Sequence, residues 1–186
     1  APMLAELSSD ITLNYNLFLR IKEIYDQKDN LTLSPEQDTL LTKYYRDFVR
    51  NGALLADDKK KELREIDQEM SVLKLNFAEH VLAETNAYRL HITEKANLDG
   101  LPENVVEAAH ELAKEEGKEG WIFTLDYPSY IPFMTYASNR ELRKELAIAA
   151  GKKGFQNNEN NNEEVVLKMA NLPHKRAKLL GHDSHA

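Results

Sequence analysis

One stretch of the chain, residues 57–87, restricts the possible folds more than any other. It contains neither glycine nor proline, and apolar residues recur along it at spacings of three or four: Leu63, Ile66, Met70, Leu73, Phe77 and Val81. This spacing places apolar side chains on one face of a helix. Asp57 and Asp58 stand where the positive end of a helix favours negative charge. The sequence therefore predicts one helix of roughly 45 Å, at about 1.5 Å per residue, that packs along a larger body.

Helix signals also precede this stretch. Asn14 can cap a short amphipathic helix that ends near Tyr25. Residues 34–37 place serine at a cap, proline in the first turn and glutamine at the third position of a capping box. Gly52 should end the helix that begins there. Residues 1–13 mix small, polar and apolar types, and we expect them to form coil.

The next part of the chain carries the strand signals. Residues 88–92 alternate apolar and polar types, which is typical of a strand. Residues 121–125 form a second, more apolar candidate strand. Between them, Pro102 should open a helix that closes near Gly117. The strand, helix and strand could pair as a crossover unit, and helices must cover so small a sheet.

Further helices are predicted towards the end of the chain. Either Ser138 or Asn139 should cap a helix that runs to Gly151. Residues 157–162 are rich in asparagine, which suits a solvated loop and a cap. Pro173 lies within the last apolar repeat and should kink or end that helix.

An aromatic run allows two interpretations. Residues 127–136 contain two prolines, so we expect a turn and then a short helix from Ile131. The aromatic residues of the run are Tyr127, Tyr130, Phe133 and Tyr136. They either belong to the core or line a groove for a peptide. Burial of aromatic side chains contributes strongly to core stability, so we favour the core.

These signals together predict a mainly α fold. We expect an elongated multi-helix bundle with one long central helix and a small two-stranded β element. No internal repeat or long linker divides the chain, so residues 1–186 are predicted to form a single helical region.

Composition excludes several functional classes. The chain holds 24 basic and 31 acidic residues, a net charge of −7, which does not suit a nucleic-acid or anionic-membrane surface. No apolar run approaches the roughly 20 residues that a bilayer span needs. There is no cysteine, which excludes disulfides and thiolate ligation of zinc. No signal peptide is visible, and we expect a cytoplasmic location.

Histidine spacing offers two weak metal motifs. Residues 110–114 begin His-Glu, but the fifth position is Lys114, where a zinc helix of this type needs a second histidine. His182 and His185 supply only two ligands near the end of the chain. We therefore predict surface or structural roles for these histidines, and no catalytic, cofactor-binding or metal-binding residue.

The remaining histidines are also expected to be structural. His80 lies on the long helix and should pack or form a hydrogen bond. His91 should point to the polar side of its strand, and His174 should be exposed. No Gly-x-Ser-x-Gly elbow and no phosphate-binding glycine loop occurs.

Several ordered motifs carry a family resemblance. They include Tyr45–Ala53 (YRDFVRNGA), Leu75–Asn86 (LNFAEHVLAETN), Glu119–Leu125 (EGWIFTL), Pro128–Met134 (PSYIPFM) and Arg176–Gly181 (RAKLLG). In this respect the chain resembles the zinc metallopeptidases of the oligopeptidase A, thimet oligopeptidase and peptidyl-dipeptidase group, bacterial peptidyl-dipeptidase (dipeptidyl carboxypeptidase) most of all. Motifs of this length in this order are more specific than one short pattern.

The resemblance implies a parent enzyme and a non-catalytic role for this chain. In that family the His-Glu-x-x-His helix and its glutamate ligand lie well downstream, so none of those positions falls within residues 1–186. The chain would be the N-terminal helical region of a zinc peptidyl-dipeptidase that releases C-terminal dipeptides. It would help to wall a channel for short peptides and be inactive alone. Both ends look cut.

The resemblance also implies partners. The catalytic region of the parent would cover some apolar faces, and these faces would otherwise invite self-association. A stand-alone helical interaction module is the alternative interpretation.

Overall fold

Helices make up most of the chain in the computed structural model, which describes residues 2–185. The elements are α1 (Pro2–Thr12), α2 (Tyr15–Asp26), α3 (Pro35–Arg50), α4 (Asp57–Ala87), β1 (Leu90–Ile92), α5 (Glu103–Glu115), β2 (Trp121–Phe123), α6 (Tyr127–Tyr136), α7 (Arg140–Gly151) and α8 (Glu163–Leu179), with 3-10 helices at Lys28–Asn30 and Lys95–Leu98. The mainly α fold with one two-stranded sheet is confirmed for the described residues.

The described residues divide into two compact units. The first unit contains the residues up to Asn76 and those from Val165 onwards, and the second contains Phe77–Glu164. The single helical region within a larger enzyme stays a prediction.

The long helix is confirmed as α4, which spans the predicted bounds. Its apolar stripe is buried at Leu63, Ile66 and Leu73. In the first unit, Ile66 and Leu73 pack with Leu172 of α8 in one apolar cluster. Packing of this stripe, rather than helix propensity alone, stabilises a helix of this length.

Local capping signals are confirmed where side chains reach the backbone. The Asn14 side chain accepts a hydrogen bond from the Leu17 amide at the start of α2. Ser34 and Gln37 form the predicted capping box at the start of α3. At its end, the Gly52 amide donates to Val49 O and the Ala53 amide to Phe48 O. With Gly52 at φ 94°, this is a Schellman motif.

The prediction of coil for residues 1–13 is wrong over most of that segment, because α1 is helical. Ser9 of α1 is buried, and so is Leu13 just after its end. Asp10 accepts a hydrogen bond from Arg64 at 2.6 Å. These tertiary contacts stabilise a helix that has no strong capping signal in the sequence.

A second apolar cluster in the first unit joins α2 to the end of α3. Phe18 and Phe48 are buried with Ala53. The rings of Tyr25 and Tyr45 stack with centroids 3.9 Å apart.

The sheet of the second unit is antiparallel, with Leu90 opposite Phe123 and Ile92 opposite Trp121. The predicted crossover pairing is therefore wrong. Residues 93–102, which include a 3-10 helix, separate β1 from α5, and residues 116–120 separate α5 from β2. Antiparallel pairing needs no crossover connection.

The core of the second unit lies between the sheet and the helices α5, α6 and α7. Phe123 and Phe133 meet edge to face with ring centroids 4.6 Å apart. Leu90, Ile92 and Leu146 are buried in the same cluster. Helices therefore cover the two short strands, as the sequence analysis requires.

The aromatic run forms α6, which begins at Tyr127 rather than at the predicted Ile131. Pro128 lies in its first turn, where a missing N–H costs nothing. Phe133 is buried and Tyr130 packs against the core, as predicted for both. Tyr136 is exposed, and the Tyr127 side chain is 80% exposed, so the core interpretation fails for these two.

The last two helices give one confirmation and one correction. Asn139 caps α7 by accepting hydrogen bonds from the amides of Glu141 and Leu142. Of the two predicted effects of Pro173, an end of the helix is wrong, because α8 continues to Leu179. A kink at Pro173 stays a prediction. Leu172 and Ala177 are buried on either side of the proline, so packing offsets the lost backbone hydrogen bond.

None of the helices among residues 2–185 is both long and apolar enough to cross a membrane.

Candidate functional site

The His-Glu motif on α5 has a structural environment. His110 is exposed, and its Nδ1 lies 3.0 Å from Gly120 O. Its ring also lies near Trp121, with centroids 6.1 Å apart. Lys114, at the position a second zinc ligand would occupy, pairs with Glu111 at 3.5 Å. This arrangement ties α5 to the segment that enters β2.

The histidines near the end of the chain are exposed. His174 lies on α8, and His182 and His185 follow it. Among residues 2–185, no three His, Asp or Glu side chains are grouped closely enough to hold a metal ion.

His80 forms a hydrogen bond, one of its two predicted roles, and His91 is exposed on its strand, as predicted. His91 Nε2 lies 2.7 Å from Glu119 O on the exposed side of the sheet. His80 Nδ1 lies 2.8 Å from Asn162 Oδ1, and Asn162 is fully buried. The Asn-rich tract is thus solvated at its start and buried at its last residue.

Glu84 is a buried carboxylate that the sequence analysis did not identify. One turn beyond His80 on α4, it accepts hydrogen bonds from the Gly154 amide at 2.6 Å and from Asn158 Nδ2 at 2.8 Å. In the sequence, Glu84 looks like any other charged residue of a helix, and no local pattern indicates that it is buried. Its partners lie about 70 positions away, where local patterns carry no information.

Two motifs of the resemblance meet in the first unit. Arg176 donates through Nε to Asp67 at 2.8 Å and through a terminal nitrogen to Asn51 Oδ1 at 3.3 Å. Asn51 belongs to the Tyr45–Ala53 motif, and Arg176 opens the Arg176–Gly181 motif. The conformation of the α3 end is therefore linked to α4 and α8 through one guanidinium group.

Helix α1 carries a group of exposed apolar residues. Four side chains there are between 49 and 82% exposed: Met3, Leu4, Leu7 and Ile11. We call these four residues the α1 surface. Their spacing places them on one helical face. A cluster of large apolar side chains is typical of a protein contact surface, whereas scattered ones are ordinary.

These features can hold and position chain segments, but they include no nucleophile with a neighbouring base. The α1 surface is therefore the candidate functional site for contact, and Glu84 and Asn162 form the main buried polar site.

Comparison with known proteins identifies peptidases. No protein-family model matches the chain. Oligopeptidase A of Haemophilus influenzae is 33% identical over 99% of the chain, and that of Salmonella typhimurium is 31% identical over 100%. Dipeptidyl carboxypeptidase of Escherichia coli is 29% identical over 98%. The chain spans 28, 28 and 27% of the length of these three relatives.

The match thus extends along the whole chain and includes every motif on which the resemblance was based. The identities to oligopeptidase A are slightly higher than the identity to dipeptidyl carboxypeptidase. Along its entire length the chain is a homologue of oligopeptidase A and dipeptidyl carboxypeptidase, peptidases of the thimet oligopeptidase family.

Proposed function

We propose that this chain is the N-terminal, non-catalytic region of a zinc-dependent peptidyl-dipeptidase and that it walls the channel that admits short peptides. The parent enzyme would release dipeptides from the C-termini of oligopeptides. One observation carries the proposal: peptidases match the whole chain, yet the chain spans little more than a quarter of their length.

Zinc would be held outside this chain. Zinc sites with catalytic function use three protein ligands, commonly histidine and glutamate. The described residues offer no such group, and Lys114 stands where the His-Glu motif at residues 110–114 would need its second histidine. The chain alone would therefore be inactive, and no step of peptide hydrolysis is assigned to its residues.

The α1 surface would contact the catalytic region of the longer protein. More than two thirds of each relative lies beyond the matched segment, which supplies an occupant for an exposed apolar face. Burying this face would contribute roughly 25 cal/mol for each Å² of apolar area removed from water. A cytoplasmic location belongs to the same proposal.

The reading frame beyond Ala186 tests the proposal. We expect it to continue for several hundred residues, as the length of the relatives indicates, and to include a His-Glu-x-x-His helix. A stop codon directly after Ala186 would contradict the proposal and favour a stand-alone helical interaction module.

Self-association tests the role of the α1 surface. In the isolated chain we expect concentration-dependent association in light scattering, because the face is uncovered. Leu7→Glu places a charge on that face and should give a monomer. Asn104→Glu adds the same charge at an exposed position of α5 and should leave association unchanged. A wild-type chain that stays monomeric at high concentration would contradict this role.

A further inference from the structure

The buried polar contacts of the second unit have no part in the proposed function. They join α4 to residues 154–162, which we call the asparagine loop. We infer that Glu84 and Asn162 form a latch that holds the asparagine loop closed on α4, and that the loop opens as one local unit when the latch is broken.

Glu84 is the first half of the latch. The residue is only 6% exposed, and a buried carboxylate is costly unless hydrogen bonds compensate for lost water. Its partners are the Gly154 amide, Asn158 Nδ2 and, at 3.4 Å, Gln156 Nε2. All three donors come from the asparagine loop. While the loop is closed, these donors replace the water that the buried carboxylate of Glu84 has lost.

Asn162 is the second half. Its amide donates to Gly154 O at 2.6 Å, which closes the loop on itself. Its side-chain nitrogen donates to Phe77 O at 3.4 Å, and its Oδ1 faces His80 Nδ1. The side chain thus reaches two positions on α4. Because this residue is 0% exposed, opening the loop leaves its polar groups to find new partners in water.

Gly154 makes the closed conformation possible. Its φ of 74° lies in the left-handed region that favours glycine. A Cβ atom at this position would lie 2.5 Å from Asn162 Nδ2. Any larger residue would therefore push Asn162 out of its place.

The loop offers little surface for apolar packing. Residues 155–159 are all exposed, including Phe155. The polar contacts are therefore the main link between the loop and α4. Asn161 Oδ1 accepts a hydrogen bond from the Glu163 amide at 2.8 Å, so the latched loop also fixes the residue at which α8 begins.

Amide hydrogen exchange of the whole chain tests the latch. Glu84→Gln keeps the shape but removes the charge and replaces an acceptor oxygen with a donor group. We expect exchange at the amides of Gly154 and Asn162 to accelerate by about tenfold or more, because a hydrogen bond to a charged group is lost. The exchange rates of the amides in β1 and β2 should change by less than about twofold.

Two variants keep the test decisive. Glu79→Gln removes an exposed carboxylate from the same helix and should leave exchange in the loop unchanged. Asn158→Ala removes one donor from the loop side and should accelerate loop exchange even where Glu84→Gln folds poorly. Unchanged exchange at Gly154 in both Glu84→Gln and Asn158→Ala would overturn the latch. An equal acceleration across the whole second unit would overturn it as well.

Discussion

Glu116, just after the end of α5, forms ion pairs with two cationic side chains. Arg89 Nε lies 2.5 Å from Glu116 Oε1, and Lys118 Nζ lies 2.9 Å from Oε2. The hydrogen bond from Arg89, followed by that from Lys118, lowers the pKa of Glu116 below its ordinary value. Glu116 therefore stabilises the fold only while it is charged.

This pKa shift predicts a pH-dependent effect of Glu116→Gln. The contribution of Glu116 is fully present above the ordinary glutamate pKa and is lost as the pH falls through the lowered folded value. The variant should be less stable than wild type at neutral pH, and the difference should vanish in acid. Urea unfolding of both proteins at a series of pH values measures this difference in stability. Glu115→Gln, on an exposed neighbour, should not show this pH dependence.

High salt should also shrink the difference at neutral pH, because exposed charges are screened. A stability difference that stays constant from neutral to acid pH would show that the carboxylate charge of Glu116 has no role.

At the scale of single elements, the α3 cap is the clearest local device. The Gln37 amide donates to Ser34 Oγ at 3.3 Å, and the Ser34 amide donates to Gln37 Oε1 at 2.9 Å. Two backbone donors that lack helical partners are thus satisfied by side chains.

Ser34→Ala removes one of these acceptors. We expect the free energy of unfolding to fall by about 1 kcal/mol, the usual cost of losing an N-cap side chain. Chemical denaturation measures the change. Thr32→Ala, at an exposed position just before the cap, should change stability by much less. Equal losses in both variants would contradict the role of the cap.

A substitution at Pro173 within α8 should raise stability, whereas Ser34→Ala should lower it. Pro173→Ala restores the amide that can donate to Met169 O, and alanine favours the helix. Proline restricts the unfolded chain, which offsets part of the gain. We expect a net rise of about 1 kcal/mol in the free energy of unfolding. Pro128→Ala, at the first turn of α6, should give no such rise, and an equal rise there would contradict the explanation.

Features that depend on neighbouring residues could be predicted from the sequence, and features that depend on distant residues could not. The caps at Asn14, Ser34 and Asn139 were predictable because each side chain bonds an amide two or three residues away. The antiparallel pairing of the strands, and whether α8 ends at Pro173, could not be decided from the sequence, since both depend on packing between distant segments. The Glu84 latch was missed for the same reason. Its three donors lie on a loop whose local pattern predicts a solvated segment and a cap, but no partner on α4.

At the scale of the whole molecule, the described residues form two units without a grouped set of metal ligands. The relatives that match the chain are peptidases more than three times as long. The proposed division of labour follows from these two observations. The helical region would shape the channel, and the rest of a longer protein would supply zinc and the reacting groups.

Peptide hydrolysis by the purified chain tests this division most directly. The chain is incubated with zinc and an oligopeptide, with and without a chelator, and dipeptide release is followed by mass spectrometry. A full-length relative such as oligopeptidase A serves as the positive control. If the reacting groups lie outside this chain, dipeptide release should not exceed that from a sample of peptide without protein, either with or without the chelator. Chelator-sensitive release of dipeptides by this chain would contradict it.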